Sequence, residues 1–200
     1  FEHPGISVTT TDITCNGDAD GIATATGIGG DGNYSFTWTG GLNGSTINGL
    51  DAGTYTVTIS DGNGCTRVSS GSVSENAPVA FTSQNFEQVS CSGMSDGSVT
   101  TTASGGCPPL NYSIPGTSNL TGSFTELPQG NYVVTVTDCN GCAAISNNFS
   151  INEPPAIIIN SETITDATCY GSNNGAYIAV ASGGLGNLNY SIGQTSQNNG

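Results

Sequence analysis

The sequence predicts an all-β protein made of tandem antiparallel β-sandwich repeats of immunoglobulin-like type, each about 77 residues long and each stapled by a disulfide. Three observations carry this prediction. Gly53–Cys65 (GTYTVTISDGNGC) returns as Gly130–Cys142 (GNYVVTVTDCNGC). Apolar and polar side chains alternate within both segments, which is the period of a half-buried strand. No stretch keeps the three-to-four spacing of an amphipathic helix, and glycine, serine, threonine and asparagine dominate the composition.

The composition also excludes functions. Apolar residues make up 34% of the chain, so each core is thin, as expected of small domains that need staples. Net charge is -14, and Arg67 is the only Lys or Arg residue, beside the single histidine His3. Nucleic-acid binding needs clustered Lys and Arg to release counterions, and anionic lipid needs the same, so neither is an expected partner. No apolar run approaches the length of a membrane span. With one histidine and no lysine, the chain lacks the usual general bases and oxyanion clamps, and it is not expected to be an enzyme. The same lack of lysine excludes Lys–Asn isopeptide crosslinks.

Along the chain the landmarks keep one register. Cys15, Cys91 and Cys169 lie 76 and 78 residues apart, and Cys65 and Cys142 lie 77 apart. Asp20-Gly21, Asp96-Gly97 and Asn174-Gly175 each open a strand-like run that ends at Gly29-Gly30, Gly105-Gly106 and Gly183-Gly184. An alternating aromatic strand follows. Tyr34, Phe36 and Trp38 align with Leu110, Tyr112 and Ile114, and with Leu188, Tyr190 and Ile192. After a variable loop comes the strand of Tyr55, Val57 and Ile59, then a reversal at Asp61-Gly62-Asn63-Gly64, where Asn and Gly tolerate positive φ. Return strands are expected at Thr66 to Val73 and Ala143 to Ile151. Glu75-Asn76-Ala77-Pro78 and Glu153-Pro154-Pro155 mark the joints, where proline stops ladder pairing. The expected organisation is the end of a preceding repeat at residues 1–4, a first repeat at 5–78, a second at 79–155 and the N-terminal part of a third at 156–200, all within a longer array. A β-solenoid is the alternative, although solenoid repeats are usually much shorter.

Seven cysteines fall into this register. The expected pairs are Cys15–Cys65 and Cys91–Cys142, with Cys169 bonded to a partner beyond residue 200. Cys107 and Cys139 occur together in one repeat only, which favours a third pair, Cys107–Cys139. Such staples imply an oxidising, extracellular compartment. Cys139 and Cys142 also have the C-x2-C spacing of a zinc site, but the first repeat has Gly62 at the former position.

Taken in order, C-x-G-x-x-D-G, a strand, G-G, an aromatic strand and L-x-x-G-x-Y-x-V-x-[IV]-x-D-x-N-G-C resemble the SprB repeat of Bacteroidota surface adhesins. The resemblance covers residues 15 to 78, 91 to 155 and 169 to about 192, with Asn174 where Asp is usual. It implies a cell-surface, extracellular protein of gliding-motility type, exported by type IX secretion, whose repeats build a filament and carry no catalytic residues. The expected partners are neighbouring repeats of the same chain, surface glycans or the substratum, and further copies in a filament. Two other readings stand beside it. One is a self-assembling fibre or sheath subunit. The other is a carbohydrate-binding module with Tyr34, Phe36 and Trp38 as its stacking platform.

No cofactor is expected. Asp18, Asp20, Asp61 and Asn63 are weak calcium candidates if a Cys15–Cys65 bond brings their turns together; Asp96, Asp138 and Asn140 remain of that set in the second repeat. Asx-turns explain the same residues without a metal. N-x-[ST] sequons make Asn33, Asn43, Asn111, Asn119, Asn148 and Asn189 candidate glycosylation sites.

Overall fold

The computed structural model describes residues 3–193. They form strands and turns, and a single 3-10 turn at Thr39–Gly41 is the one helical element among the described residues.

The first repeat contains β1 (Gly5–Thr11), β2 (Gly21–Ile28), β3 (Ser35–Trp38), β4 (Thr46–Leu50), β5 (Gly53–Ser60) and β6 (Thr66–Val73). Two antiparallel sheets result, with orders β1-β2-β4 and β3-β5-β6. This is the A-B-E and C-F-G division of an immunoglobulin-type sandwich. Alternation puts Ala23 and Ala25 of one sheet and Trp38 and Val57 of the other into a shared core with Ile13, Ile47, Leu50 and Val73. Each strand therefore buries one face and wets the other. Two further hallmarks of this sandwich follow from the sequence. Trp38 is buried on the third strand, its indole N–H donating to the Gly44 carbonyl at 2.9 Å. The Tyr55 hydroxyl donates to the Asp51 carbonyl at 3.0 Å, a tyrosine corner at the start of β5.

The second repeat adds β7 (Ala80–Glu87), β8 (Gly97–Ser104), β9 (Asn111–Ile114), β10 (Thr117–Asn119), β11 (Ser123–Leu127), β12 (Gly130–Tyr132), β13 (Thr135–Thr137), β14 (Ala143–Ile145) and β15 (Phe149–Ile151). Its strand orders are β11-β8-β7, β10-β9-β13-β14 and β12-β15. The tyrosine corner recurs, with Tyr132 donating to the Pro128 carbonyl at 2.9 Å. The return strand expected at Ala143 to Ile151 is split in two. The cause is local: Ser146 Oγ accepts from the Val134 amide, so a side chain takes a backbone acceptor's place in the ladder. The third repeat contributes a hairpin of β16 (Ile158–Thr165) and β17 (Ala176–Ser182). No strand forms at Leu188, Tyr190 and Ile192, although the Tyr190 hydroxyl accepts from the Ala181 amide just as Tyr112 accepts from Ala103. In the first two repeats that strand is held by pairing with β5 or β13, and among the described residues the third has no such partner.

By density of contact the chain forms two compact units. The first holds the chain up to Ser83 with Thr101–Gly122 and Val134–Asn147; the second holds Gln84–Thr100, Ser123–Val133 and the chain from Asn148. In the first unit Tyr112, Ile114, Val134 and Val136 are buried as well. In the second, Phe149 is stacked on Phe86 and Tyr132 at centroid distances of 5.3 and 5.8 Å, and Val99, Phe124 and Ile151 are also buried.

Candidate functional site: the cysteine turns

The aspartate–glycine turn recurs in the same form in two repeats. In the second, the Asp138 amide donates to the Cys142 carbonyl and the Gly141 amide to the Asp138 carbonyl. The Asp138 carboxylate then accepts through Oδ1 from the Asn140 and Cys142 amides, each at 2.9 Å, and through Oδ2 from the Cys107 amide at 2.9 Å. Burial pushes its pKa up, but these donors, with the Gly141 amide, outweigh burial and hold it below the usual carboxylate value. In the first repeat Asp61 Oδ1 likewise accepts from the Asn63 and Cys65 amides at 3.1 and 2.8 Å. Its Oδ2, however, is buried with no partner.

The cysteine loop recurs three times. The Asp18, Met94 and Ser172 amides donate to the Cys15, Cys91 and Cys169 carbonyls. Asp20, Asp96 and Asn174 close the loops by accepting from the Thr14, Ser90 and Thr168 amides at 3.0, 2.9 and 3.1 Å. Hydrogen bonds from Thr14 hold Asp20, and from Ser90 hold Asp96, below the ordinary carboxylate pKa. Asn174 thus does the work of the aspartate it replaces, because the turn needs an acceptor and not a charge.

Loop and turn meet, but not within one repeat. Cys15 is bonded to Cys142, with Cα atoms 5.5 Å apart, and Asn140 Nδ2 donates to the Thr14 carbonyl at 3.1 Å beside the bond. Cys107 is bonded to Cys139, with a Cα separation of 5.2 Å. Cys65, Cys91 and Cys169 are free thiols. The expected pairs Cys15–Cys65 and Cys91–Cys142 are therefore corrected, and the first repeat contains no internal staple. The reason is the sandwich itself. The loop before β2 sits at the far end of β6, where the Ile13 amide donates to Ser74 and the Ser74 amide to Asp12. Cys65 sits at the near end of that strand. Eight residues of extended chain separate the two places, roughly 26 Å, whereas a disulfide needs Cα atoms within about 7 Å. In the second repeat the Val89 amide donates to the Asn152 carbonyl, as the Ile13 amide does to Ser74.

The joints themselves repeat. The Gly17 amide donates to Glu75 Oε2 at 3.0 Å, and the Gly93 amide to Glu153 Oε2 at 2.7 Å. The Gly106 amide donates to the Ala77 carbonyl and the Gly184 amide to the Pro155 carbonyl, both at 2.7 Å. Gly105 and Gly183 have φ of +84° and +97°, and a Cβ at either would collide with the carbonyl oxygen of Pro78 or Ala156. The glycine pairs that mark the ends of strands in the sequence are thus seats for the linker. Their recurrence alongside the proline joints is the signal of this role in the sequence.

The remaining candidates fall as follows. The calcium reading relied on the Asp18–Asp20 loop meeting the Asp61–Asn63 turn through Cys15–Cys65, and that bond is not formed; Cys15 meets the Asp138–Cys142 turn instead. Among the described residues no three His, Cys, Asp or Glu side chains converge on one point. Trp38 is buried and Phe36 packs on the core, so the proposed stacking platform with Tyr34 is not an exposed face. Asn33, Asn43, Asn111, Asn148 and Asn189 are exposed. Asn119 is half-buried, its Oδ1 accepting from the Thr121 and Gly122 amides at 3.0 and 2.8 Å. No helix among the described residues is long and apolar enough to cross a membrane.

Among solved structures, the chain is similar to the three N-terminal domains of the Highly Immunogenic Outer Capsid protein (Hoc) of bacteriophage RB49, at 18% identity, 97% and 71% coverage of the two chains and a TM-score of 0.48. It is also similar to a C-terminal 282-residue fragment of intimin, solved in complex with the intimin-binding domain of the translocated intimin receptor: 16% identity, 78% and 66% coverage, TM-score 0.45. Extracellular domains 3–5 of Drosophila OTK follow at 12% identity, 75% and 64% coverage and a TM-score of 0.27. None reaches a TM-score of 0.5, and the sandwich assignment rests on strand order, shared core and tyrosine corners. No curated protein matches the chain. The SprB repeat model matches residues 7–43 and again residues 83–119, each spanning the cysteine loop, the strand after it and the glycine pair. Two matches one repeat apart are consistent with a segment of SprB-type repeats.

Proposed function

We propose that this chain is a load-bearing segment of a long extracellular adhesin or filament at the cell surface, of the gliding-motility type, and that it is neither an enzyme nor a cofactor carrier. The observation that carries the reading is the Cys15–Cys142 bond, which ties the loop of one repeat to the turn of the next across 127 residues. A catalytic scaffold has no need of a covalent strut beside its linker, whereas a chain under tension does. An acidic surface with almost no cations suits a solvated spacer, and the exposed sequons offer sites for glycans. The disulfides support an oxidising exterior.

Two measurements test this. Antibody against residues 3–193 should label intact cells of the source organism, and protease treatment of those cells should remove the signal. Labelling only after lysis would overturn the reading. In single-molecule extension, reduction of both Cys15–Cys142 and the Cys107–Cys139 bond nested within its loop should release about 430 Å of additional contour length, from 127 residues at about 3.4 Å each. An unchanged contour length would show that the strut carries no load.

A further inference from the structure

We infer that the three free cysteines are halves of the same inter-repeat strut seen at Cys15–Cys142. In this arrangement the first cysteine of every repeat bonds the turn cysteine of the repeat that follows. Cys91 and Cys169 are donors of that kind, and Cys65 receives the first cysteine of another repeat.

Three observations at Cys91 support this. Its loop is closed like that of Cys15: Met94 donates to the Cys91 carbonyl, Asp96 accepts from Ser90, and Gly93 is held by Glu153 as Gly17 is by Glu75. The linker beside it is seated on Gly184 through the Pro155 carbonyl, as the first linker is seated on Gly106 through Ala77. Cys91 is exposed in a cavity of about 490 Å³ lined by Pro154, Ala156, Ile157 and Leu185; the cavity beside Cys15, where the Asp138–Cys142 turn is seated, is about 180 Å³. The receiving half is preformed at Cys65. Asp61 organises that turn through the same two amides as Asp138, and presents a half-exposed thiol at the position of Cys142. A staple inside a repeat is excluded for Cys65 by the length of β6.

Closing one strut joins two thiols as a disulfide, releasing two protons and passing two electrons to a disulfide oxidant, which is reduced to two thiols. The inference rests on the extracellular reading only for that oxidising surrounding, and the purified protein tests it apart from cellular location.

Two chains are compared, each refolded in a glutathione redox buffer and mapped by non-reducing peptide mass spectrometry after alkylation. The first is the 200-residue chain. The second continues from Ile192 with a copy of residues 115–155, which completes the third repeat; its copy of Cys139 is replaced by glycine, as at position 62. In the first chain Cys65, Cys91 and Cys169 should be alkylated. In the extended chain Cys91 should be found bonded to the copy of Cys142, with only Cys65 and Cys169 alkylated. In an extended chain carrying Cys91→Ser, the copied cysteine should remain a thiol. A bond from Cys169 to the copied cysteine, or a copied cysteine alkylated beside an alkylated Cys91, would overturn the inference. So would a Cys15–Cys65 bond in either chain. A folded extended chain, shown by protection of Cys15–Cys142 from mild reductant, makes any of these results decisive.

Discussion

The Asp61–Cys65 and Asp138–Cys142 turns share a backbone and differ in what braces them. At the second, the Cys107–Cys139 bond lies alongside, the Cys139 amide donates to the Cys107 carbonyl at 2.9 Å, and the Cys107 amide satisfies Asp138 Oδ2. At the first, Asp31 and Gly62 stand in the places of those cysteines. There the Gly62 amide donates to Asp31 Oδ1 at 3.0 Å, and Asp61 Oδ2 is left buried without a donor. One repeat thus uses a covalent brace and a fully satisfied carboxylate where its neighbour uses one hydrogen bond and tolerates an orphaned oxygen. The difference teaches that the turn's shape needs only the Asp Oδ1 contacts; its rigidity is adjusted by what stands at the other two positions.

The comparison is sharpened most by removing the struts. Replacing both Cys15 and Cys142 with serine should lower stability by about 5 kcal/mol in the chain-entropy model, and replacing both Cys107 and Cys139 by about 3.5 kcal/mol, because loop length enters logarithmically. Urea denaturation midpoints at constant slope check both. Next, Asp138→Asn places an amide NH2 or a weaker acceptor against three backbone donors and should cost about 2 kcal/mol. Asp61→Asn removes charge from an oxygen that already lacks a donor and should cost less than about 1 kcal/mol. Equal losses in the two variants would end the distinction.

A smaller effect at the second turn depends on pH. The folded-state pKa of Asp138 is depressed, so its contribution is complete above its unfolded value near 4. That contribution disappears as pH falls from there through the lower folded value. Denaturation midpoints at pH 7 and pH 3 should therefore differ less in Asp138→Asn than in the native protein. A comparably small effect is expected from Gly62→Ala. Its Cβ would collide with Asp31 Oδ2, turning the carboxylate away from the Gly62 amide at a cost of about 1 kcal/mol. Replacing Asp31 and Gly62 together by cysteine should instead convert the first turn to the second kind, with a new disulfide visible in peptide maps and a higher denaturation midpoint.

Much of the fold was legible in particular residues. Val57 and Ile59 are fully buried because alternation forces them to one face, and Trp38 lies beside Val57 on the neighbouring strand. The Asp61 and Asp138 reversals follow from Asn and Gly chemistry. The Cys107–Cys139 proximity was visible because both residues occur in one repeat alone. What could not be read was the break in the return strand, made by one serine hydroxyl at Ser146, or the role of Gly105 and Gly183, which depends on a carbonyl from a distant linker. The candidate site was half legible. Both cysteine positions were identified, and their partners were assigned wrongly.

That error marks the boundary between what the sequence decides and what the tertiary structure decides. A period of about 77 residues, the alternation inside each strand and the turn residues all act over a few neighbours, and they determined an all-β chain of repeated sandwiches. The choice of disulfide partner acts across the whole sandwich. A first cysteine and a turn cysteine recur in both of the first two repeats, so spacing permits a staple within a repeat or a strut to the next with equal ease. Only the placement of the loop at one end of β6 and the turn at the other, about 26 Å apart, excludes the staple and leaves Cys15 against Cys142.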